Sequence, residues 1–443
     1  MLLLTAGVWL IVRRTKSWVG RSPFGGTVFL NCIAGAILAV NLVTAVRAFV
    51  HRPVLAERGS ARAAGIMASG DYPDIYYLIT DAYARSDLLE SRYHTDNSAF
   101  LEELRGMGFF VAARARSNYV QTHLSLASSL NFTYLDSLAR FLGPESEDRG
   151  PLIHMIQNSR LVDFLRRRGY TIVSFASGYT GTDLAGADVH FAPRWSVSEF
   201  QSVLLNTTVL RYALVLLRMT PAAIHRDRIL YTLRELPNAS RGRHPALVWA
   251  HVNSPHHPFV FDERGGWPRV PGSPSVGSTR PWLNQVLGTI PFTWYDEHYG
   301  AQVTYLSTLL IDVVRRILAS SPRPPIIVIH ADHGPGSVPD WDRLTREQVL
   351  RQHDIFYAVY LPPSAVRMPP QLALYDSITP VNTFRIILPR FFDTTMALLP
   401  DRSYFSIFRY PYRFYDASQS QFLPFIGESA QARPRRAAQG REP

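Results

Sequence analysis

Two residue types on which much enzyme chemistry depends are almost missing from this 443-residue chain: it has one cysteine, Cys32, and one lysine, Lys16. A single thiol inside an apolar segment excludes disulfides, cysteine-ligated zinc and a cysteine nucleophile in the rest of the chain. It fits either redox compartment and so does not decide localisation. The lysine lies in a basic loop between apolar segments. That excludes pyridoxal-type Schiff-base chemistry and Walker-type ATP hydrolysis, both of which need a lysine at the site. Internal repeats are also lacking. Acidic charge is in deficit, giving a formal net charge of +11, but the excess is unevenly placed. Five of those charges are Arg13, Arg14, Lys16, Arg21 and Arg47, and two net charges follow Ile426, which leaves +4 for the body. A body this mildly basic does not argue for a nucleic-acid face.

What is present begins with long apolar stretches. Met1–Val12 is apolar but short for a full span, and reads as the end of a membrane helix or a signal-like segment. Thr27–Val46 gives twenty residues without a charge, the signature of a membrane helix, so residues 1–50 are expected to be membrane segment. The basic stretch Arg13–Arg21 favours a cytoplasmic flank and an extracytoplasmic body, although Arg47, Arg52, Arg58 and Arg62 on the other flank pull against it. Residues 51–72 read as a linker, 73–410 as one catalytic domain, and 411–443 as an extension disordered towards its Arg- and Ala-rich end.

Within the body, short β-branched runs alternate with helical spacing. Pro73–Asp81, Phe109–Ala113, Tyr170–Phe175, Leu247–Val252, Pro325–Ala331 and Phe356–Leu361 read as strands. Leu88–Met107, Leu124–Leu130, Leu161–Arg168 and Tyr299–Leu318 read as helices, and Gly265–Pro291 as a surface excursion. The alternation predicts an α/β fold with a mostly parallel sheet flanked by helices. In such sheets, ligands collect at the carboxyl ends of the strands. Three strands end in groups able to bind a cation or move a proton: Asp81; His251 with His256; and Asp332 with His333. The segment Ser117-Asn-Tyr-Val-Gln-Thr122-His-Leu-Ser125 precedes a helix, where a hydroxyl meets N–H groups that attract anions.

Taken in order, Asp81 after a strand, the Ser117–Ser125 segment, His251-Val-Asn-Ser-Pro-His256-His-Pro-Phe259 and Asp332-His333-Gly334 resemble the sulfatase-like branch of the alkaline phosphatase superfamily. The likeness is to membrane-anchored sulfatase-domain proteins such as lipoteichoic acid synthase and phosphoethanolamine transferases. It runs from about Asp74 to Phe405 and includes Ile378–Arg385 and Leu398–Phe405. The resemblance implies an alkaline phosphatase/sulfatase-like domain behind an N-terminal transmembrane helix. It implies one divalent cation, manganese, magnesium or zinc, held by Asp81, Thr122, Asp332 and His333. Thr122 would double as nucleophile, and His256 would bind or protonate the phosphate-bearing group. The implied activity is phosphoester hydrolysis or transfer on an envelope lipid or glycan, at the cell membrane with the catalytic domain extracytoplasmic. Membrane, not nucleic acid, is the expected partner.

Departures qualify the likeness. True sulfatases carry Cys/Ser-x-Pro-x-Arg for formylglycine, and Thr122-His-Leu-Ser-Leu cannot undergo that conversion, which favours phosphoesters over sulfate esters. Ala82 stands where relatives often have glycine. The pair Arg194-Trp195 lacks the spacing to supply further substrate contacts. Each residue also has a plain structural reading. Asp81 and Thr122 can be helix caps. His251 and His330 read as core histidines, His257 as a loop neighbour, His353 with Asp354 as surface loop, and Tyr83, Arg85 and Asp87 as mouth or solvent-facing. A catalytically inactive sulfatase-fold scaffold or binding module is the rival reading, and a nuclease stands third. Loss of a proposed ligand would favour the scaffold, and none is lost.

Overall fold

The computed structural model describes residues 31–36, 72–194, 208, 220–268, 292–336, 344–362 and 373–417. The chain divides into two units, Met1–Arg58 and Gly59–Pro443. In the first, residues 31–36 are helical, and Cys32 is free and exposed. No helix among the described residues is long and apolar enough to cross a membrane. The expected span over residues 27–46 falls outside the described residues except for 31–36, as do the linker up to residue 71, residues 269–291 of the excursion, Trp195 and the tail from 418.

The second unit is built on a seven-stranded sheet. In chain order its elements are β1 (Ile75–Asp81), α1 (Ser86–Tyr93), α2 (Ser98–Gly106), β2 (Phe110–Val111), α3 (Thr122–Asn131), α4 (Asp136–Leu142), α5 (Gly150–Gln157) and α6 (Arg160–Arg166). There follow β3 (Thr171–Phe175), β4 (Val189–Phe191), α7 (Pro221–Glu235), β5 (Ala246–Pro255), α8 (Phe292–Ser320), β6 (Ile326–Ala331), α9 (Arg346–Arg351), β7 (Tyr357–Tyr360), α10 (Pro380–Phe391), β8 (Tyr404–Phe405) and β9 (Tyr415–Asp416). The strand order is β2-β7-β6-β1-β5-β3-β4. Strands β6, β1, β5, β3 and β4 pair in parallel, and β7 and β2 add an antiparallel edge. The α/β reading with a mostly parallel sheet therefore holds. Strands β8 and β9 form a separate antiparallel pair.

The continuous apolar run of β1 follows from burial on both faces: all seven of its residues are buried. On one face Tyr77 meets Trp249 of β5 and Phe384 of α10, each at 5.0 Å between ring centroids. On the other, the Tyr76 hydroxyl and Ser240 Oγ lie 2.9 Å apart. A strand covered this way loses side-chain freedom but buries about 25 cal/mol per Å² of apolar surface, and it sits at the sheet's centre for that reason.

The expected single helix Leu88–Met107 is two helices. The chain leaves α1 through His94 at φ +50°, where Tyr93 packs on Tyr299 of α8 with ring centroids 4.4 Å apart. Gly300 lies so close to Thr95 that a Cβ there would sit 2.2 Å from its Oγ1. Tertiary contact with α8 thus overrides local helical spacing. The catalytically suggestive helix is longer than its apolar core implied, starting at Thr122.

The candidate metal centre

Register places the strand-end groups side by side. Thr80 is opposite Ala331 of β6, so Asp81 and Asp332 emerge at the same level on adjacent strands. On the other flank Ile79 is opposite His251, and the pairing then slips so that Asp81 faces Pro255. This bulge in β5 carries the chain over the site, where the His256 N–H donates to the Asp81 carbonyl at 3.0 Å. Asp81 caps nothing, since the N-cap of α1 is Arg85.

Thr122 enters from a third direction as the first residue of α3. The N-cap is Gln121, which makes no side-chain cap. Its carboxamide instead donates to Ser406 Oγ at 2.9 Å and accepts from Arg149 Nη1 at 3.0 Å. The first-turn N–H groups are left without a side-chain cap, next to the Thr122 hydroxyl. The approach to α3 is held by the two distal motifs. Asn118 Oδ1 accepts the Val381 N–H at 2.9 Å and its Nδ2 donates to the Arg402 carbonyl at 2.9 Å. Asp401 Oδ1 accepts from the Thr379 hydroxyl at 2.7 Å.

At the centre, the Thr122 hydroxyl lies 3.3 Å from His333 Nε2. His333 Nδ1 donates to the Gly334 carbonyl at 2.8 Å, which leaves its Nε2 lone pair facing Thr122. The same Nε2 is 3.6 Å from Asp81 Oδ1 and 3.5 Å from Asp332 Oδ2. His251 Nε2 is 3.6 Å from Asp81 Oδ2. Asp81, His251 and Asp332 each offer a ligand atom, all within 4.8 Å of one another, and all three residues are buried. His256 stands at the rim, its ring centroid 6.2 Å from that of His333 and its Nδ1 donating to the His257 carbonyl at 2.6 Å. The structure thus brings Asp81, Thr122, Asp332 and His333 together, with His256 adjacent.

The residues fit a divalent cation. Buried Asp332 Oδ2 and His251 Nε2 have no hydrogen-bond partner among the described residues, and buried atoms of this kind are costly unless something else engages them. Ligands about 2.1 Å from a tetrahedral ion lie about 3.4 Å from each other. The separations of 3.3, 3.5 and 3.6 Å around His333 match that spacing. Burial pushes the His251 imidazole down to about 4, so it is neutral and carries a free lone pair at physiological pH. Burial acts to raise the Asp332 carboxyl, but the neighbouring His333 and His251, the Ala82 N–H at 3.1 Å and the Thr122 hydroxyl hold it below the ordinary carboxylate range.

Several plain readings of the sequence change. His251, which reads in the sequence as a core histidine, belongs to the buried group with Asp81 and Asp332. Seeing this requires knowing that His251 is paired with Ile79 and so shares a pleat face with Asp81, and register is invisible in one sequence. His353 is fully buried, not on a surface loop, with Nδ1 donating to the Ser117 carbonyl at 3.1 Å; burial pushes it down to about 3. Tyr83 and Arg85 face neither mouth nor solvent. The Tyr83 hydroxyl meets Ser307 Oγ at 2.7 Å, and Arg85 Nη1 donates to Asp354 at 2.7 Å. His257 is more than a loop neighbour, since its ring stacks on His256 at 4.2 Å. His330 is the packing residue it was expected to be, with Nδ1 donating to the Ala331 carbonyl at 2.8 Å and Nε2 accepting from Tyr77 at 2.9 Å.

No family model and no curated protein matches the sequence. Solved structures do. The C-terminal periplasmic domain of EcEptC from Escherichia coli, in complex with Zn, aligns with a TM-score of 0.50 at 11% identity, covering 80% of this chain and 95% of that one. The soluble domain of lipooligosaccharide phosphoethanolamine transferase A from Neisseria meningitidis gives 0.45 at 12% identity over 74% of this chain and 90% of that one. The phosphonate monoester hydrolase SpPMH from Silicibacter pomeroyi gives 0.47 at 14%, over 72% and 73%. At such identities the likeness concerns the fold alone: the chain folds like the C-terminal periplasmic domain of EcEptC.

Proposed function

We propose that the chain is a divalent-metal-dependent phosphoester transferase or hydrolase that works through Thr122 on a phosphate-bearing lipid or glycan of the cell envelope. The observation that carries this reading is the convergence of Asp81, Asp332, His333 and His251 on the hydroxyl of Thr122 at an uncapped helix N-terminus. A cation held by Asp81, Thr122, Asp332 and His333 would lower the pKa of the hydroxyl and neutralise non-bridging phosphoryl oxygens.

The chain's own groups do the rest. The Thr122 Oγ1–phosphorus bond forms as the bond from phosphorus to the leaving alcohol breaks, and the hydroxyl proton passes to the facing Asp332 carboxylate. His256, half-buried at the rim, donates a proton to the leaving oxygen through Nε2. Attack on phosphorus by an acceptor alcohol or water, whose proton goes to His256 Nε2 and restores it, then breaks the bond to Thr122 Oγ1, which takes its own proton back from Asp332. The first-turn N–H groups of α3 stabilise the developing charge. An anchored body with an extracytoplasmic site would hold this chemistry near lipid donors, in keeping with the charge-free stretch Thr27–Val46.

The test is a metal titration of the full chain with bis-p-nitrophenyl phosphate and p-nitrophenyl sulfate. Metal-dependent cleavage of the phosphodiester, with at least about a 10³-fold loss in Thr122→Ala, is expected. Failure to cleave either ester, with metal affinity unchanged in Thr122→Ala, overturns the reading.

A further inference from the structure

We propose that a hydroxyl relay, Thr182–Ser177–Asp183, fixes the tautomer of His251 so that its Nε2 lone pair completes the donor set with Asp81 and Asp332. The inference rests on the metal-centre reading above and deepens it, because it assigns positioning residues that neither touch the substrate nor bind the ion.

The argument is an inventory of hydrogens. Ser177 Oγ lies 2.5 Å from Asp183 Oδ1, an oxygen that already accepts the Ser177 N–H at 2.8 Å and so acts as an acceptor. The single hydroxyl hydrogen of Ser177 goes there. Ser177 Oγ has two lone pairs left, and two donors face it: the Tyr179 N–H at 3.0 Å and the Thr182 hydroxyl at 2.7 Å. Thr182 therefore donates to Ser177, with the Tyr179 carbonyl at 3.1 Å as its alternative acceptor. Thr182 Oγ1 can only accept from its remaining neighbour, His251 Nδ1, at 3.0 Å. With the opposite tautomer, Thr182 would have to donate to His251. No hydrogen would then lie between Ser177 and Thr182, leaving two hydroxyl oxygens 2.7 Å apart with lone pairs opposed.

His251 consequently carries its hydrogen on Nδ1. Its other nitrogen has no hydrogen-bond partner among the described residues and faces Asp81 Oδ2 at 3.6 Å, a lone pair directed at a carboxylate. A divalent cation between them would engage both. A histidine that binds metal through one nitrogen while its other N–H is held by an oxygen is the usual arrangement of an outer partner, and removing that partner typically lowers metal affinity by about 10–100-fold.

The loop carrying the relay is fixed for this purpose from several sides. Ser177, Thr182 and His251 are all buried. The chain turns at Gly178 and Gly181, with φ of +81° and +79°. The Trp249 indole N–H donates to the Thr182 carbonyl at 2.9 Å, and His123 Nε2 donates to the Thr180 carbonyl at 2.7 Å. His123 follows Thr122 directly, so one loop braces both the nucleophile's helix and the His251 strand.

The experiment uses the full chain and two readouts. Long-range ¹H–¹⁵N correlation of the metal-free protein should show His251 as the Nδ1–H tautomer in the wild type and a shift towards Nε2–H in Thr182→Val, which removes the acceptor. Titration with Zn²⁺ and with Mn²⁺ alone should show affinity about 10–100-fold weaker in Thr182→Val and restored in Thr182→Ser, which returns the hydroxyl. Should Thr182→Val fail to fold, the smaller Thr182→Ala carries both readouts. An Nε2–H tautomer in the wild type overturns the relay. So does wild-type metal affinity in Thr182→Val when Asp81→Ala has lost it; in that case the metal centre stands. Wild-type affinity in Asp81→Ala and Asp332→Ala overturns the metal centre and the relay together.

Discussion

Two charged clusters lie on either side of the segment after β1, one centred on buried Arg85 and Asp354 and one on buried Asp81 and Asp332, and they are built on opposite terms. In the brace, Arg85 holds Asp87 through two bonds of 2.7 Å and Asp354 through a third, and donates to the Ala115 carbonyl at 3.0 Å. Arg116 adds a bond of 3.1 Å to the same Asp354 oxygen. Cations and carboxylates there satisfy one another. In the centre, Asp81 and Asp332 converge beside the imidazoles of His333 and His251, the second held neutral by burial. The protein fills the first cluster itself, whereas the second carries a buried donor set that could hold a metal ion. Buried charge alone therefore does not mark a functional site; buried charge without its complement does.

The comparison breaks most visibly under removal of one carboxylate from each cluster. Asp354→Ala leaves buried Arg85 with Asp87 as its one remaining carboxylate and takes the partner from Arg116, and should cost about 3 kcal/mol. Asp332→Ala in the metal-free protein relieves the crowding of two carboxylates but takes the acceptor from the Ala82 and His333 N–H groups, and should cost no more than about 1 kcal/mol. Urea unfolding of both variants in chelator decides. Equal destabilisation would show that the centre is an ordinary polar network.

Metal addition sharpens the same contrast. At a hundredfold excess over Kd, Zn²⁺ or Mn²⁺ should stabilise the wild type and Asp354→Ala alike by about 2.7 kcal/mol, and Asp332→Ala hardly at all. Unfolding midpoints with and without metal measure this. A gain in Asp332→Ala as large as in wild type would place the ion elsewhere.

Much of this was legible in the chain. Ile326–Ala331 announced a doubly buried strand, and the strand-end positions of Asp81 and Asp332 followed from where the apolar runs stop. The membrane span falls on residues outside those described. What could not be read was lateral. His251 needed the pairing with β1, and the bulge beside it, to be seen on the same face as Asp81. Arg85, His353 and Asp354 looked like loop polarity because their partners lie more than two hundred residues away or across an antiparallel bridge, as in Arg116 with Asp354. The relay through Thr182 and Ser177 depends on hydroxyl orientations fixed only by folding.

Acid separates the clusters less sharply, because each holds a depressed histidine: His251 at about 4 in the centre and His353 at about 3 beside the brace. Both bind fewer protons folded than unfolded, so stability rises with pH in this window. It is fully present above the unfolded value of about 6.5 and is lost as pH falls towards the folded value. Each should remove on the order of 2 kcal/mol between pH 7 and pH 5. His353→Gln, whose amide can still donate to the Ser117 carbonyl, should flatten the pH dependence of metal-free unfolding by one proton. An unchanged slope would mean that His353 is not buried neutral.

The smallest effect lies at the hinge between the clusters. Ala82 has φ +63°, a left-handed conformation that costs a residue with a Cβ roughly 1–2 kcal/mol. The backbone is held there from both sides, its N–H donating to Asp332 Oδ1 at 3.1 Å and its carbonyl accepting from the Tyr299 hydroxyl at 2.7 Å. Ala82→Gly relieves the strain. It also gives up a buried methyl, about 0.8 kcal/mol, and adds chain entropy to the unfolded state, about 0.5–1 kcal/mol. The three contributions nearly cancel, so stability should stay within about 1 kcal/mol of wild type. Metal affinity should not move, because the carboxylate is oriented by the Ala82 N–H, which glycine keeps. A fall in affinity with stability unchanged would show that the methyl, not the backbone, orients Asp332 against the brace side of the site.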